Sequence, residues 1–154
     1  MAVGGTFDIL HDGHKALLRM AFRTGKSVLI GLSTNRLTQV MRKKHAPAPY
    51  RDRYRALSRF LEEEGVADRT KIVPLNDPHG VAATDSSIEA LVVSGETRAR
   101  GMEINQIRRS NGLRLLDLVE VDLILAQNGK PISSSRIRAG EITVDGRVRR
   151  VAGR

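Results

Sequence analysis

The chain has 154 residues, of which 40% are hydrophobic, so it is long enough for one domain with its own core. It contains no cysteine, which excludes disulfides and thiol catalysis, and no apolar run approaches the ~20 residues that a membrane span needs. Lysine and arginine total 26 against 17 acidic residues, and the formal net charge of +9 favours anionic partners. Aromatic residues make up only 3%, which disfavours the base stacking of nucleic-acid binders and favours small phosphorylated ligands.

We expect a cytoplasmic protein, because no positively charged leader or apolar signal core precedes the first predicted strand. The composition leaves the oligomeric state open, with a monomer slightly favoured.

Short β-type runs alternate along the chain with longer segments of helical spacing. Two prolines break the basic segment 42–49, which we therefore predict as a loop. In chain order we expect strand Met1–Val3, a Gly4-Gly5 turn, a helix from Lys15, strand Ser27–Leu32, helix Thr34–Val40, helix Arg51–Glu64, strand Lys71–Leu75, strand Ala90–Ser94, helix Arg98–Ser110, a strand or pair of strands over Asp117–Leu125, and a helix start at Ile132–Arg138.

This alternation predicts an α/β fold, a Rossmann-like, doubly wound, five-stranded parallel sheet in a single domain. We expect that domain to span residues 1–146, followed by a basic, mobile tail over residues 147–154. In such sheets, ligands bind beyond the carboxyl ends of the strands. Most of the polar and basic motifs of this chain fall in those loops.

The strongest motif follows the first predicted strand, where two histidines flank a glycine at the start of a helix. The amino end of a helix presents backbone N–H groups and a partial positive charge, so it attracts phosphate. A lone histidine there would usually cap the helix, but the pair with neighbouring glycines favours a phosphate site. A metal site is disfavoured, because further ligands at suitable spacing are lacking. The candidates are Gly4, Gly5, Thr6, Phe7, His11, Gly13 and His14.

A second motif, Ser133-Ser134-Ser135-Arg136, lies near the other end of the chain. Serines at a helix start offer hydroxyl and N–H donors to phosphate, and arginine offers a bidentate fork. Serines also cap ordinary helices, so the motif indicates a phosphate site only in combination with the histidines.

Together the two motifs resemble the nucleotidyltransferase superfamily that carries the H-x-G-H signature. The middle of the chain is similar to the archaeal and eukaryotic type of phosphopantetheine adenylyltransferase. The residues that carry this second resemblance are Val73-Pro74-Leu75-Asn76-Asp77-Pro78-His79-Gly80, Val92-Val93-Ser94-Gly95-Glu96-Thr97 and Ile104-Asn105.

The resemblance implies transfer of AMP from ATP to 4′-phosphopantetheine, with Mg²⁺ carried by ATP rather than by a protein cage. It implies that His14 contacts the α-phosphate, that His11 supports the triphosphate, and that Thr6 orients the acceptor phosphate. Lys43 or Lys44 would bridge the two substrates, and the choice between them stays open. Ser133, Ser134 and Ser135 would hold the β- and γ-phosphates, while Arg136 is either a phosphate ligand or an ion-pair partner.

Acceptor binding departs from the bacterial pattern of this family. Bacterial members end the fourth strand with Arg-Gly-Leu-Arg, whereas this chain has Ser94-Gly95-Glu96-Thr97. The acceptor phosphate would instead be held by Arg98, Arg100 or Arg108. We also name Asp8, Asn76 and Asp77 as acceptor-binding candidates, although an Asn-Asp-Pro turn needs no function to explain it.

Two classes of alternative stay open. One is a related enzyme, such as glycerol-phosphate cytidylyltransferase, nicotinamide mononucleotide adenylyltransferase or FAD synthetase. Such cytidylyltransferases usually carry Arg-Thr-Glu-Gly before their serine motif, where this chain has Asn128-Gly129-Lys130-Pro131. The more remote alternative is a basic, non-enzymatic RNA-binding module.

Overall fold

The computed structural model describes residues 1–41 and 46–150. Within them the chain alternates strands and helices, with two short 3₁₀ segments at Ala67–Arg69 and Gly80–Ala83. The regular elements are β1 Ala2–Gly5, α1 Asp12–Thr24, β2 Val28–Ser33, α2 Asn35–Val40, α3 Tyr50–Glu63, β3 Thr70–Leu75, β4 Ala90–Ser94, α4 Arg98–Ser110, β5 Asp117–Val121 and α5 Ser134–Arg138.

All five strands run parallel in the order β3-β2-β1-β4-β5. The prediction of a doubly wound, Rossmann-like sheet is confirmed. The chain builds β2 and β3 on one side of β1 and then crosses to build β4 and β5 on the other. The strand order therefore reverses beside β1, which is the position where open parallel sheets bind their ligands.

Strands β1 and β4, which are neighbours in the sheet, separate toward their carboxyl ends. β1 pairs with β2 along its whole length, from Ala2 opposite Leu29 to Gly5 opposite Leu32. Its pairing with β4, within the described chain, is confined to Ala2 opposite Leu91. The gap between β1 and β4 therefore opens at the edge of the sheet where the polar motifs lie.

Both faces of the sheet are covered, which is why its strands are rich in apolar residues on both sides. Val92 packs in one cluster with residues of α1 and α3. Leu91 and Val93, which point to the opposite face, pack with residues of α4 and of the 3₁₀ segment Gly80–Ala83. No helix among the described residues is long and apolar enough to cross a membrane.

Two predicted strand ends were wrong by more than one residue. β1 continues through Gly4 and Gly5, which we had assigned to a turn, because both pair with β2. β5 ends at Val121 rather than Leu125, because its partner β4 ends at Ser94, opposite Val121. The chain beyond Val121 therefore leaves the sheet beside the cleft.

The carboxyl-terminal segment packs around a small cluster of its own, formed by Ala126, Ile132 and Ile142. Ile142 forms an antiparallel bridge with Val148, and the backbone N–H of Arg149 donates to the carbonyl of Glu141. The first residues of the predicted tail thus have backbone partners, whereas residues 151–154 lie outside the described part of the chain.

Candidate active site

A cleft of about 680 Å³ lies at the carboxyl ends of the strands. Its walls come from the segments after β1 and β3, the junction of β4 with α4, and the start of α5. Both predicted motifs therefore meet at one cavity, although they lie at opposite ends of the sequence. The predicted residues on its wall are Gly4, Gly5, Thr6, Phe7, Asp8, His11, Gly13, His14, Ser133, Ser134 and Ser135.

His11 caps α1 with its own ring. Its Nδ1 accepts hydrogen bonds from the backbone N–H groups of Gly13, at 3.1 Å, and His14, at 3.4 Å. Since Nδ1 is an acceptor, the neutral ring carries its proton on Nε2. Burial lowers the pKa of His11 to about 4, against an opposing effect of Asp12. At pH 7 the ring is therefore neutral and its Nε2–H is a donor.

The first four amides of α1 all have partners inside the protein. Besides the two that His11 Nδ1 accepts, Asp12 N–H donates to the carbonyl of Val144 and Lys15 N–H donates to the carbonyl of His11, both at 3.1 Å. These amides, which we expected to bind phosphate, thus all donate within the chain, and the imidazole rings are further donors at this helix end. The same cap explains why α1 begins at Asp12 rather than at Lys15.

The His14 ring stacks on the His11 ring, with centroids 3.8 Å apart and planes inclined by 18°. His14 Nδ1 has two backbone neighbours: the N–H of His11 donates to it at 3.5 Å when it carries no proton, and the carbonyl oxygen of Ile9, at 3.0 Å, accepts from it when it does. Any contact of the His14 ring with a substrate oxygen would therefore be made through Nε2. The stack fixes the two imidazoles as one unit.

Glycine at position 13 leaves room for the His11 ring, which occupies the space that a side chain would take. A Cβ on Gly13 would lie 2.9 Å from Cε1 and 3.0 Å from Nδ1 of His11. On the other side, Phe7 adopts a left-handed backbone with φ of 46°, and its ring centroid lies 5.2 Å from that of His14. A left-handed phenylalanine is strained, so the surrounding packing must hold this loop in place.

The serine motif forms the start of α5, as predicted. The Ser133 hydroxyl caps the helix by accepting from the N–H of Arg136 at 3.3 Å, and Ser134 and Ser135 follow on the cleft wall. Arg138, one turn further on, also lines the cleft. The i, i+3 and i, i+4 spacing that links Arg138 to the two serines is a sequence signal that we did not use.

Arg136 lies outside the cleft wall. Its Nε donates to Glu141 at 3.0 Å and its Nη1 donates to the carbonyl of Pro131 at 2.8 Å. Of the two roles left open by the sequence, the structure shows the ion pair.

Asn76 and Asp77 also lie outside the cleft wall. Asp77 Oδ1 accepts from the backbone N–H groups of His79, at 3.0 Å, and Gly80, at 2.8 Å, and so closes a local turn. The next two residues, Pro78 and His79, reach the cleft instead.

The structure separates the three arginines suggested for the acceptor. Arg98 is exposed and forms an ion pair with Glu120 outside the cleft. Arg108 is buried and donates to four backbone carbonyls, which is a structural role. Arg100 lines the cleft. Among the described residues, Arg100 and Arg138 are the two arginines on its wall.

Arg53 supports the floor of the site, which sequence reasoning missed. It is 1% exposed, and its guanidinium donates to the carbonyls of Thr6 (3.0 Å), Ser33 (2.7 Å) and Ala48 (2.7 Å). Burial lowers the pKa of Arg53, and nearby Asp8 opposes that change. The residue ties the loop after β1 to the end of β2 and to Ala48, near the end of the basic segment 42–49.

Lys43 and Lys44, the predicted bridging lysines, lie outside the described residues. On the near side of this gap Met41 lines the cleft. On the far side Ala48 is held through its N–H by Asp8 and through its carbonyl by Arg53.

The amino-acid sequence is similar to those of known nucleotidyltransferases. Residues 2–140 match the model of the cytidylyltransferase-like family. The chain is 44% identical to the phosphopantetheine adenylyltransferase of Methanopyrus kandleri, over 92% of this chain and 89% of that protein. It is 42% identical to the enzyme of the same name from Methanothermobacter thermautotrophicus, over 99% of this chain and 92% of that protein. The chain belongs to the phosphopantetheine adenylyltransferase family.

A solved structure supports the same fold for this family member. A protein of unknown function from Archaeoglobus fulgidus superposes with a TM-score of 0.71 and 32% identity, covering 79% of this chain and 87% of that one.

Proposed function

We propose that this family member transfers AMP from ATP to 4′-phosphopantetheine, giving dephospho-coenzyme A and pyrophosphate. The observation that carries the proposal is the meeting of the stacked histidines and the serine motif at one cleft. Family membership supplies the substrates, since the relatives named above are phosphopantetheine adenylyltransferases.

The chemistry needs positioning and charge stabilisation rather than a general base. A phosphate monoester has its second pKa near ~6, so the acceptor is already mostly a dianion at neutral pH. Its oxygen would attack the α-phosphorus of ATP in line with the departing pyrophosphate, without a covalent enzyme intermediate.

The two imidazoles would supply donors to ATP, His14 at the α-phosphate and His11 at the triphosphate. His11 would donate through Nε2–H, the only proton that its cap leaves on the neutral ring. His14 would donate through Nε2–H, the proton that the neutral ring carries when its Nδ1 accepts from the backbone N–H of His11 at 3.5 Å. Fixed donors of this kind act without reorganisation during the reaction.

The triphosphate fits the corner formed by the start of α5. Ser133, Ser134, Ser135 and Arg138 line this corner, and they offer hydroxyl groups and a guanidinium to the β- and γ-phosphates. Mg²⁺ would enter with ATP as part of the substrate. The described residues contain no group of three or more His, Asp or Glu side chains that could hold a metal ion.

The acceptor would enter on the β4 side of the cleft. We infer that Arg100 attracts its phosphate and that Thr6 orients it beside the histidines, since both residues line the cavity. Lys43 or Lys44 would bridge the acceptor and the α-phosphate. ATP as a substrate and a chain without cysteine fit a reaction in the cytoplasm.

A substrate panel tests the proposal. ATP and CTP are each combined with phosphopantetheine, glycerol phosphate, nicotinamide mononucleotide and FMN, and pyrophosphate release is measured. We expect turnover with ATP and phosphopantetheine. Faster turnover with CTP, or an inert phosphopantetheine, would refute the assignment, and steeply salt-dependent retention of RNA would favour the binding module instead.

A further inference from the structure

The Asp8 carboxylate joins three separate parts of the chain at the cleft. Its Oδ2 accepts from Arg138 Nε at 2.8 Å, and its Oδ1 accepts from Arg138 Nη2 at 2.7 Å. Oδ1 also accepts from the backbone N–H of Ala48 at 2.8 Å. One side chain thus holds the loop after β1, helix α5 and Ala48, near the end of the basic segment 42–49.

This ion pair differs from the other one on α5. The Asp8 side chain is 9% exposed, and the pair is bidentate and lies on the cleft wall. Arg136 pairs with Glu141 through one hydrogen bond, and the Glu141 side chain is 57% exposed. A bidentate carboxylate fixes the plane of a guanidinium, whereas an exposed single contact constrains it little.

Building on the adenylyl transfer proposed above, we propose that Asp8 is a positioning residue that orients the Arg138 guanidinium toward the triphosphate of ATP. Both Asp8 oxygens already accept hydrogen bonds from the protein, which favours a positioning role over direct binding of the acceptor. The pair uses Nε and Nη2 of Arg138, and Arg138 Nη1 has no hydrogen bond to any part of the chain that the structure describes. The N–H groups of Arg138 that Asp8 does not use would donate to oxygens of the triphosphate.

The charge on Asp8 matters for this role. Burial alone would raise the pKa of Asp8, but the hydrogen bonds from Arg138 and Ala48 and the nearby positive charge of Arg53 bring the pKa below its usual value. The carboxylate is therefore ionised at neutral pH. Asp8→Asn keeps an oxygen that can accept from Ala48 and removes the charge and the second acceptor that orient Arg138.

A double-mutant cycle on the full chain tests the proposal by calorimetric titration with Mg-ATP in the absence of acceptor. The variants are Asp8→Asn, Arg138→Gln and their combination. We expect each single change to weaken ATP binding about tenfold, and the double variant to match Arg138→Gln within about twofold. Arg138→Lys, which keeps the charge without the fork, should bind ATP as weakly as Asp8→Asn.

Glu141→Gln is the matched control, because it breaks the other ion pair of α5 outside the cleft. We expect its ATP affinity to stay within about twofold of the wild type. An equal loss of affinity in this variant would show that any loosening of α5 suffices, and would overturn the proposal. If the losses of ATP affinity in Asp8→Asn and Arg138→Gln multiply in the double variant, the two residues act independently, and the proposal is overturned.

Acceptor kinetics separate the remaining outcomes. An Asp8→Asn variant with a raised KM for phosphopantetheine and normal ATP binding would make Asp8 an acceptor ligand and refute the positioning role. Should Asp8→Asn fail to fold, as judged by thermal unfolding, Arg138→Lys against Glu141→Gln still decides the question. Failure of the proposed function would appear separately, as a wild type that binds ATP but releases no pyrophosphate with phosphopantetheine.

Discussion

A methyl group at Gly13 would test whether the position of the His11 ring governs catalysis. In Gly13→Ala the new Cβ would lie 2.9 Å from Cε1 of His11, whereas ordinary contacts begin at 3.4 Å. The ring must therefore retreat by about 0.5 Å, because atoms in a packed interior cannot overlap. This movement lengthens the hydrogen bonds that Nδ1 accepts from the backbone at positions 13 and 14.

We expect Gly13→Ala to lower kcat while leaving the free energy of unfolding nearly unchanged. Loosening the cap costs ~0.5–2 kcal/mol, and the change from glycine to alanine in a helix returns up to ~1 kcal/mol. The net effect on the free energy of unfolding should therefore be small. A catalytic donor displaced by a fraction of an ångström should lower kcat by ten- to roughly a hundredfold.

Pyrophosphate release under saturating substrates measures kcat, and thermal unfolding measures stability. Gly95→Ala is the control, because a Cβ on Gly95 meets nothing within 4 Å. A stable Gly13→Ala protein with the wild-type kcat would refute the reasoning. So would a Gly95→Ala protein that loses as much activity.

Three further predictions follow from the same site. The pKa of His11 lies at about 4 in the folded chain against 6.5 as the ordinary value, so the unfolded chain takes up the proton first on acidification. The free energy of unfolding should therefore be highest above pH 6.5 and should fall by up to about 3 kcal/mol as the pH is lowered from 6.5 to about 4. Asparagine in His11→Asn can still cap the helix but does not titrate between pH 4 and 6.5. The free energy of unfolding, measured with urea, should therefore vary less with pH in this variant, and an unaltered pH profile would contradict the prediction. His14→Ala should lower kcat a hundredfold or more, on the order of 3 kcal/mol, with an unchanged unfolding temperature; near-normal turnover would remove His14 from the mechanism. Arg53→Met should destabilise the protein by about 3 kcal/mol or more, since buried carbonyls lose their donors. The exposed Arg59→Met on the same helix should change the unfolding free energy by less than about 0.5 kcal/mol, and equal losses would argue against the buried network.

The strands and helices of this chain were largely predictable because their signals are local. β4 and α4 have the predicted bounds, since an apolar run marks Ala90–Ser94 and an Asn-Gly stop follows Arg98–Ser110. The meeting of the two motifs was predictable for a topological reason. The loops at the carboxyl ends of parallel strands share one edge of the sheet, so His14 and Ser134 were expected to line one cavity, as they do.

The contacts that sequence analysis missed join distant parts of the chain or involve backbone atoms. Asp8 and Arg138 are 130 positions apart, so no local pattern shows that they pair. Arg53 follows the polar spacing of a surface helix, yet it is buried because the loop after β1 lies over the start of α3. The roles of the His11 and His14 nitrogens depend on backbone atoms, which a list of side chains does not contain.

The hydrogen bond from Asp12 N–H to the carbonyl of Val144 has a consequence for how the protein is made. A ribosome releases the amino end of a chain first, so the sheet can begin to assemble before Val144 has been added. The first amide of α1 must then wait for Val144, and the carboxylate of Asp8 must wait for Arg138, 130 positions later in the chain. A nascent chain can thus hold its five strands while its catalytic corner is still unfinished, and activity should arise only after Arg138 and Val144 have emerged.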